Sequence, residues 1–162
     1  MNILVLCTGN SARSILAETL FNQLGARHGI RAFSAGSRPV GKVNPAAIAL
    51  LKEKGFPTGN LRSKNWEEFA GPDAPQIDLV ITVCDSAAKE TCPVWSGAPM
   101  QAHWGIPDPA AASGVDEVVR AAFGQAYERL ERRVEAFLDL LNESLPEEEF
   151  YRRIAAIGRM ED

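Results

Sequence analysis

Short apolar runs alternate with stripes of apolar residues at helical spacing, and this alternation sets an order of strands and helices. Asn2–Leu6 is a nearly continuous apolar run, as expected of a central parallel strand covered on both faces. A Gly/Asn/Ser turn follows, then a helix over residues 14–24, where Ile15, Leu16, Thr19, Leu20 and Leu24 share a face and Gly25 supplies the stop. Arg31–Ala35 reads as a second strand ended by Gly36. Asn44 caps a second helix with Pro45 at its first position, and Gly55 closes it. Asn65 caps a short helical turn reaching Phe69. A third strand spans 78–83 and ends at Cys84, followed by a helical stretch over 85–90 that Pro93 and residues 96–99 interrupt. Residues 100–104 form the fourth strand and run into a Gly105–Pro109 loop. A long helix over 115–141 carries Val118, Val119, Ala122, Tyr127, Leu130, Val134, Phe137, Leu138 and Leu141. Pro146 then opens a final amphipathic segment with Phe150, Ile154 and Ile157.

Strands alternating with helices predict an α/β fold: three layers, with a four-stranded parallel sheet flanked by helices in one domain over 1–162. Sites in such sheets lie beyond the carboxyl ends of the strands. Cys7, Gly36, Cys84 and Asp108 all fall just past a predicted strand end, so four chemically suggestive positions converge on one edge.

Composition narrows the picture. The 162 residues are 46% hydrophobic and 23% charged, as in an ordinary globular protein. A net charge of −4 offers no general attraction for nucleic acid or anionic membrane, so an anionic ligand must be captured by a local site. The apolar start is too short for a secretory signal, and no run approaches membrane-spanning length. The expected location is the cytoplasm, where thiols stay reduced. Three cysteines, an odd number, argue against a static disulfide framework. With only His28 and His103 beside them, they do not supply a zinc site. His28 is expected at a helix end on the surface, and His103 in packing near Asp108.

The chemistry concentrates between the first strand and first helix, in Cys7, Thr8, Gly9, Asn10, Ser11, Ala12, Arg13 and Ser14. A turn of this length can aim backbone N–H groups inward as an anion nest, with the helix N-terminus adding positive potential. Arg13 adds a planar fork suited to two oxygens of a tetrahedral oxyanion. A thiol in that field falls from about 8.5 toward roughly 3.5–7.5. Cys7 is therefore expected to be largely thiolate at neutral pH, helped by a hydrogen bond from Ser14, and poised to attack a bound oxyanion.

Cys-x5-Arg-Ser near the N-terminus resembles the low-molecular-weight protein tyrosine phosphatase family and, within it, the thiol-dependent arsenate reductases. Ser34-Ala35-Gly36-Ser37, Thr82-Val83-Cys84-Asp85 and Asp108-Pro109 extend the resemblance over most of the chain. It implies Cys7 as nucleophile, residues 8–14 as the oxyanion loop and Asp108 as general acid. For a reductase it further implies Cys84 and Cys92 as relay thiols. Thr8-Gly9 after the nucleophile, Ala12 before Arg13 and Ala110-Ala111 after Asp108-Pro109 resemble the reductase branch, because the phosphatases carry bulky apolar residues after the nucleophile, a second Cys before the Arg and aromatic residues after the Asp-Pro. The resemblance implies arsenate or phosphate as ligand and thioredoxin or another small thiol reductant (glutathione/glutaredoxin or mycothiol) as partner. No tightly bound cofactor is expected, although some members bind potassium, for which Asn10, Glu18 and Ser34 are candidates. A monomer is expected. The alternatives are hydrolysis of aryl phosphomonoesters and a non-catalytic phosphate-binding module.

Overall fold

The computed structural model of the chain describes residues 1–90, 93, 95, 97 and 99–160; Cys92 lies outside them. Four strands, β1 (Asn2–Leu6), β2 (Arg31–Ala35), β3 (Leu79–Thr82) and β4 (Met100–His103), form one sheet in the order β2-β1-β3-β4. Every pairing is parallel, with Leu6 opposite Ala35 on one side and Thr82 on the other, and Thr82 opposite His103. The α/β, four-stranded parallel class expected from the alternation is the one observed.

β1 is apolar on both faces because both faces are covered. Ile3 and Val5 join the main core, while Leu4 and Leu6 join a second core with Trp66, Phe69, Ile77, Val80 and Trp95. The main core collects the buried residues of α1 (Arg13–Leu24), α2 (Pro45–Glu53), α4 (Asp116–Leu141) and α5 (Glu147–Ile157). The opposite layer is thin, and a 3-10 turn at Trp66–Phe69 supplies much of it. The caps read from sequence hold: Asn44 Oδ1 accepts from Ala46 N at 2.9 Å and Asn65 Oδ1 from Glu67 N at 2.8 Å.

Helix α1 is buried on nearly every side from Ser14 to Phe21, so it has no polar face. Its polar residues have partners inside: Thr19 Oγ1 donates to Ile15 O at 3.1 Å and Glu18 accepts from Ser34 at 2.6 Å. The stripe on α4 differs from the expected one at its start. Val118 is 49% exposed, whereas Phe123, Ala126, Arg133 and Leu140 are buried. The first turns of α4 overhang the end of the core, so burial starts at Phe123 and recurs at helical spacing from there.

Trp104, just past β4, is fully buried. Its ring stacks on Phe21 at 5.7 Å and meets Phe137 edge-on at 6.3 Å, while its Nε1 donates to Ile154 O at 2.9 Å. Sheet, α1, α4 and α5 thus meet at one aromatic cluster behind the carboxyl edge. No helix among the described residues is long and apolar enough to cross a membrane. Phe137→Ala, which removes the ring between Phe21, Trp104 and Phe150, is expected to lower stability by about 3–5 kcal/mol in urea unfolding.

Candidate active site

The loop from Cys7 to Ala12 is shaped by where its carbonyls go. Thr8 O accepts from Arg38 N at 3.0 Å, Gly9 O from Val40 N at 2.9 Å and Ser11 O from Asn44 N at 3.0 Å. Ser63 Oγ also donates to Gly9 O at 3.2 Å. In a trans peptide the N–H points opposite to the C=O, so these outward carbonyls turn the N–H groups of Gly9, Asn10 and Ala12 inward. The Gly9 N–H accordingly reaches the Cys7 sulfur. The segment bearing Arg38 must pass close, and Gly36 allows it. A Cβ there would stand 2.4 Å from Thr8 O and 2.7 Å from Cys7 O.

Asn10 makes the turn. It has φ 45°, the only positive value among described non-glycine residues, and it is fully buried. Its Nδ2 donates to Ser14 Oγ and Ser34 Oγ, both at 2.9 Å, and its Oδ1 accepts from Lys64 N at 2.9 Å. Ser14 therefore braces the loop through Asn10, in place of the expected contact with Cys7. Ser34 Oγ donates onward to Glu18 Oε1 at 2.6 Å, and Lys64 Nζ stands 3.7 Å from that oxygen. Burial pushes the Glu18 carboxyl up and the Lys64 ammonium down, while their mutual attraction opposes both shifts. Asn10, Glu18 and Ser34, the potassium candidates, do converge. Their donor set fits a metal poorly, because Asn10 Oδ1, Ser34 Oγ and Glu18 Oε1 already have partners and a lysine ammonium stands against the carboxylate.

Arg13 leads α1 and lies beside the loop with its side chain 15% exposed. Nη1 donates to Ile106 O at 2.9 Å, and Nη2 stands 3.7 Å from Asp108 Oδ2. Nε is buried without a hydrogen-bond partner, as a donor held for an anion would be. Asp108 is 42% exposed at the mouth, and its Oδ1 accepts from Ala110 N at 3.0 Å. Ala110 and Ala111 are exposed beside it, so neither presents a ring there.

The two described cysteines are free and buried, and they hydrogen-bond to each other. Cys84 caps α3 (Asp85–Lys89): its Sγ accepts from Ala87 N and from Thr8 N, each at 3.4 Å. The hydrogen bond from Cys7, with those two donors, pulls Cys84 down to about 5 against the opposing effect of burial. The same contact pushes Cys7 up, with burial adding to it and Arg13 pulling the other way. The contact between the two sulfurs thus opposes the Cys7 thiolate expected from the loop and favours charge on Cys84, which has more donors.

The expected cluster of Cys7, Arg13, Cys84 and Asp108 is thus brought together, while Cys92 lies outside the described residues. His28 is exposed at the end of a 3-10 turn. His103 is turned to Thr82 and Asp85 at the end of the sheet. Three residues went unread in the sequence. Lys64 supports Asn10; Glu90 accepts from Thr8 Oγ1 at 3.0 Å; and buried Arg133 donates to Gly105 O at 3.2 Å. Arg133 interrupts the apolar stripe of α4, which is a signal that could have marked it.

Cys84→Ser removes the acceptor that keeps Cys7 protonated, so the pH midpoint for iodoacetamide modification of the Cys7 peptide should fall. An unmoved or higher midpoint would contradict the shared proton.

Residues 2–148 match the family described as low molecular weight phosphotyrosine protein phosphatase. An arsenate reductase of Halalkalibacterium halodurans is 36% identical over 138 residues, which are 85% of this chain and 94% of that protein. The arsenate reductase of Bacillus subtilis is 36% identical over the same shares. A solved arsenate reductase in the phosphate binding state aligns with a TM-score of 0.62 at 30% identity, over 83% of this chain and 96% of that one. With an outward-pinned anion loop between β1 and α1, and a match over nearly its whole length, the chain belongs to the low-molecular-weight phosphotyrosine protein phosphatase family.

Proposed function

We propose that this protein reduces arsenate to arsenite through a Cys7 nucleophile and a thiol–disulfide relay, as an arsenic-detoxifying enzyme. The observation that carries this reading is the second free thiol in hydrogen-bond contact with the first: a hydrolase needs one sulfur, and a two-electron reduction needs two. The named relatives support it.

Arsenate is held by the inward N–H groups of the loop and by Arg13. Cys7 gives its proton to the Cys84 thiolate as its sulfur attacks arsenic. An arsenate oxygen leaves as water, protonated with help from Asp108, and a Cys7–As(V) adduct remains. Once Cys84 has lost that proton to solvent, its thiolate attacks the Cys7 sulfur. The S–As bond breaks with its electron pair going to arsenic, which leaves as arsenite, As(III), and a Cys7–Cys84 disulfide forms. Cys92, eight positions after Cys84 in sequence, displaces Cys7 to give a Cys84–Cys92 disulfide. Thioredoxin or another small thiol reductant then restores both thiols. This chemistry belongs to the cytoplasm. A monomer suffices, since Cys7, Arg13, Cys84 and Asp108 come from one chain.

The cation demand of the Asn10–Glu18–Ser34 cluster is met by Lys64 in this reading, rather than by potassium. Turnover should be the same in KCl and NaCl at equal ionic strength. Lys64→Gln should lose about 3–5 kcal/mol of stability, since it strands a buried carboxylate, and potassium should return part of it. Stimulation of the unaltered protein by potassium would reverse this assignment.

The decisive assay follows NADPH loss with arsenate, thioredoxin and thioredoxin reductase, and in parallel with glutathione/glutaredoxin and mycothiol systems. Arsenate-dependent turnover with one of them is expected. Cys7→Ser should abolish it together with aryl phosphate hydrolysis, and Cys84→Ser should abolish reduction alone. Hydrolysis without any arsenate-dependent oxidation would establish the phosphatase alternative instead.

A further inference from the structure

Cys84 depends on α3 for one of its donors, yet α3 spans only Asp85–Lys89, a length with little stability of its own. The first turn must therefore be fixed from outside. His103, the last residue of β4, reaches across Cys84 to do so. Its Nδ1 lies 2.7 Å from Thr82 Oγ1, and its Nε2 lies 2.9 Å from Asp85 Oδ1. Thr82 precedes Cys84 by two positions and Asp85 follows it by one, so one ring spans both sides of the cysteine.

Both ring nitrogens have partners. Thr82 Oγ1 donating to Nδ1, with Nε2–H donating to Asp85, satisfies a neutral imidazole. The next turn of chain is shaped to let the pair form. A Cβ on Gly105 would stand 2.7 Å from His103 Nε2 and 3.0 Å from Asp85 Oδ1. The pair lies at the surface, with side chains 41% and 82% exposed, so it adds little to global stability. What it contributes is position.

We propose that His103 and Asp85 form a clasp that holds Cys84 against Cys7, making both of them positioning residues for the thiol relay. The proposal rests on the reductase reading, in which Cys84 attacks the Cys7 sulfur. When the clasp is absent, the first turn of α3 frays and Ala87 N–H leaves Cys84 Sγ, so the sulfur wanders from its line of attack. The network is separate from the Arg13–Asp108 side of the site, so it should leave oxyanion binding in the loop untouched.

The test is made in the Cys92→Ser protein, where only a Cys7–Cys84 disulfide can form. Equilibration in a glutathione redox buffer, in which glutathione disulfide takes the two electrons, measures how well the thiols are juxtaposed without any arsenate. His103→Ala and Asp85→Ala should each lower the disulfide equilibrium constant about tenfold, by loss of orientation. Asp85→Asn, which keeps an acceptor for Nε2–H, should restore it, and the double alanine variant should be no worse than either single. Arsenate-driven formation of the same disulfide should slow in parallel, with the affinity for inorganic phosphate unchanged. An unchanged equilibrium constant in His103→Ala, additive effects in the double variant, or a parallel fall in phosphate affinity would each overturn the clasp. If the redox-buffer effect appears but arsenate forms no disulfide, the clasp stands and the reductase reading fails.

Discussion

The site depends on one residue held in a backbone conformation that side chains avoid. Asn10 at φ 45° reverses the chain tightly enough for the loop to close around an anion. A left-handed residue other than glycine costs about 1–2 kcal/mol. Three buried hydrogen bonds from its side chain, each contributing about 1 kcal/mol, offset this. Those bonds reach α1, β2 and the segment before the Trp66–Phe69 turn, so three separate parts of the fold converge on one amide. Behind it stands the Glu18–Lys64 pair, with Lys64 Nζ 3.7 Å from Glu18 Oε1, which supports the loop from its buried side through Ser34 and Asn10.

Much of this was legible in the chain itself. The strand order of apolar runs, the caps at Asn44 and Asn65 and the Cys7–Arg13 loop follow from local rules, and local rules suffice there. What was not legible depends on pairing between distant segments. Lys64 reads as a solvated charge until β2 and the following loop bring it beneath Glu18. Val118 looks like part of the α4 stripe because periodicity carries no information about where the core ends. Helix α1 shows the opposite effect. It is buried all round, so its polar Ser14, Glu18 and Thr19 signal internal partners rather than a wet face.

The charge in the thiol pair was likewise hidden from sequence. A cysteine at an anion loop is expected to ionise, and the loop does favour it through Arg13. A second sulfur changes the balance, because the contact between the two opposes charge on Cys7 and favours it on Cys84. Cys84 has Thr8 N–H, Ala87 N–H and the Cys7 thiol; Cys7 has Gly9 N–H and Arg13, with burial against it. The contact therefore disfavours charge on Cys7 and favours it on Cys84.

The parallel register of the sheet has a further consequence. Leu6 pairs with Thr82, so Cys7 and Cys84 leave neighbouring strands at almost the same level. The backbone separation at the level they leave from is set by the spacing of hydrogen-bonded strands, about 4.8 Å, a repeat distance of the backbone lattice. Thermal breathing of loops can open the mouth of the site, but it cannot stretch that repeat. The sheet thus brings both cysteines to one edge, and the contacts that hold the first turn of α3 decide how closely their sulfurs meet.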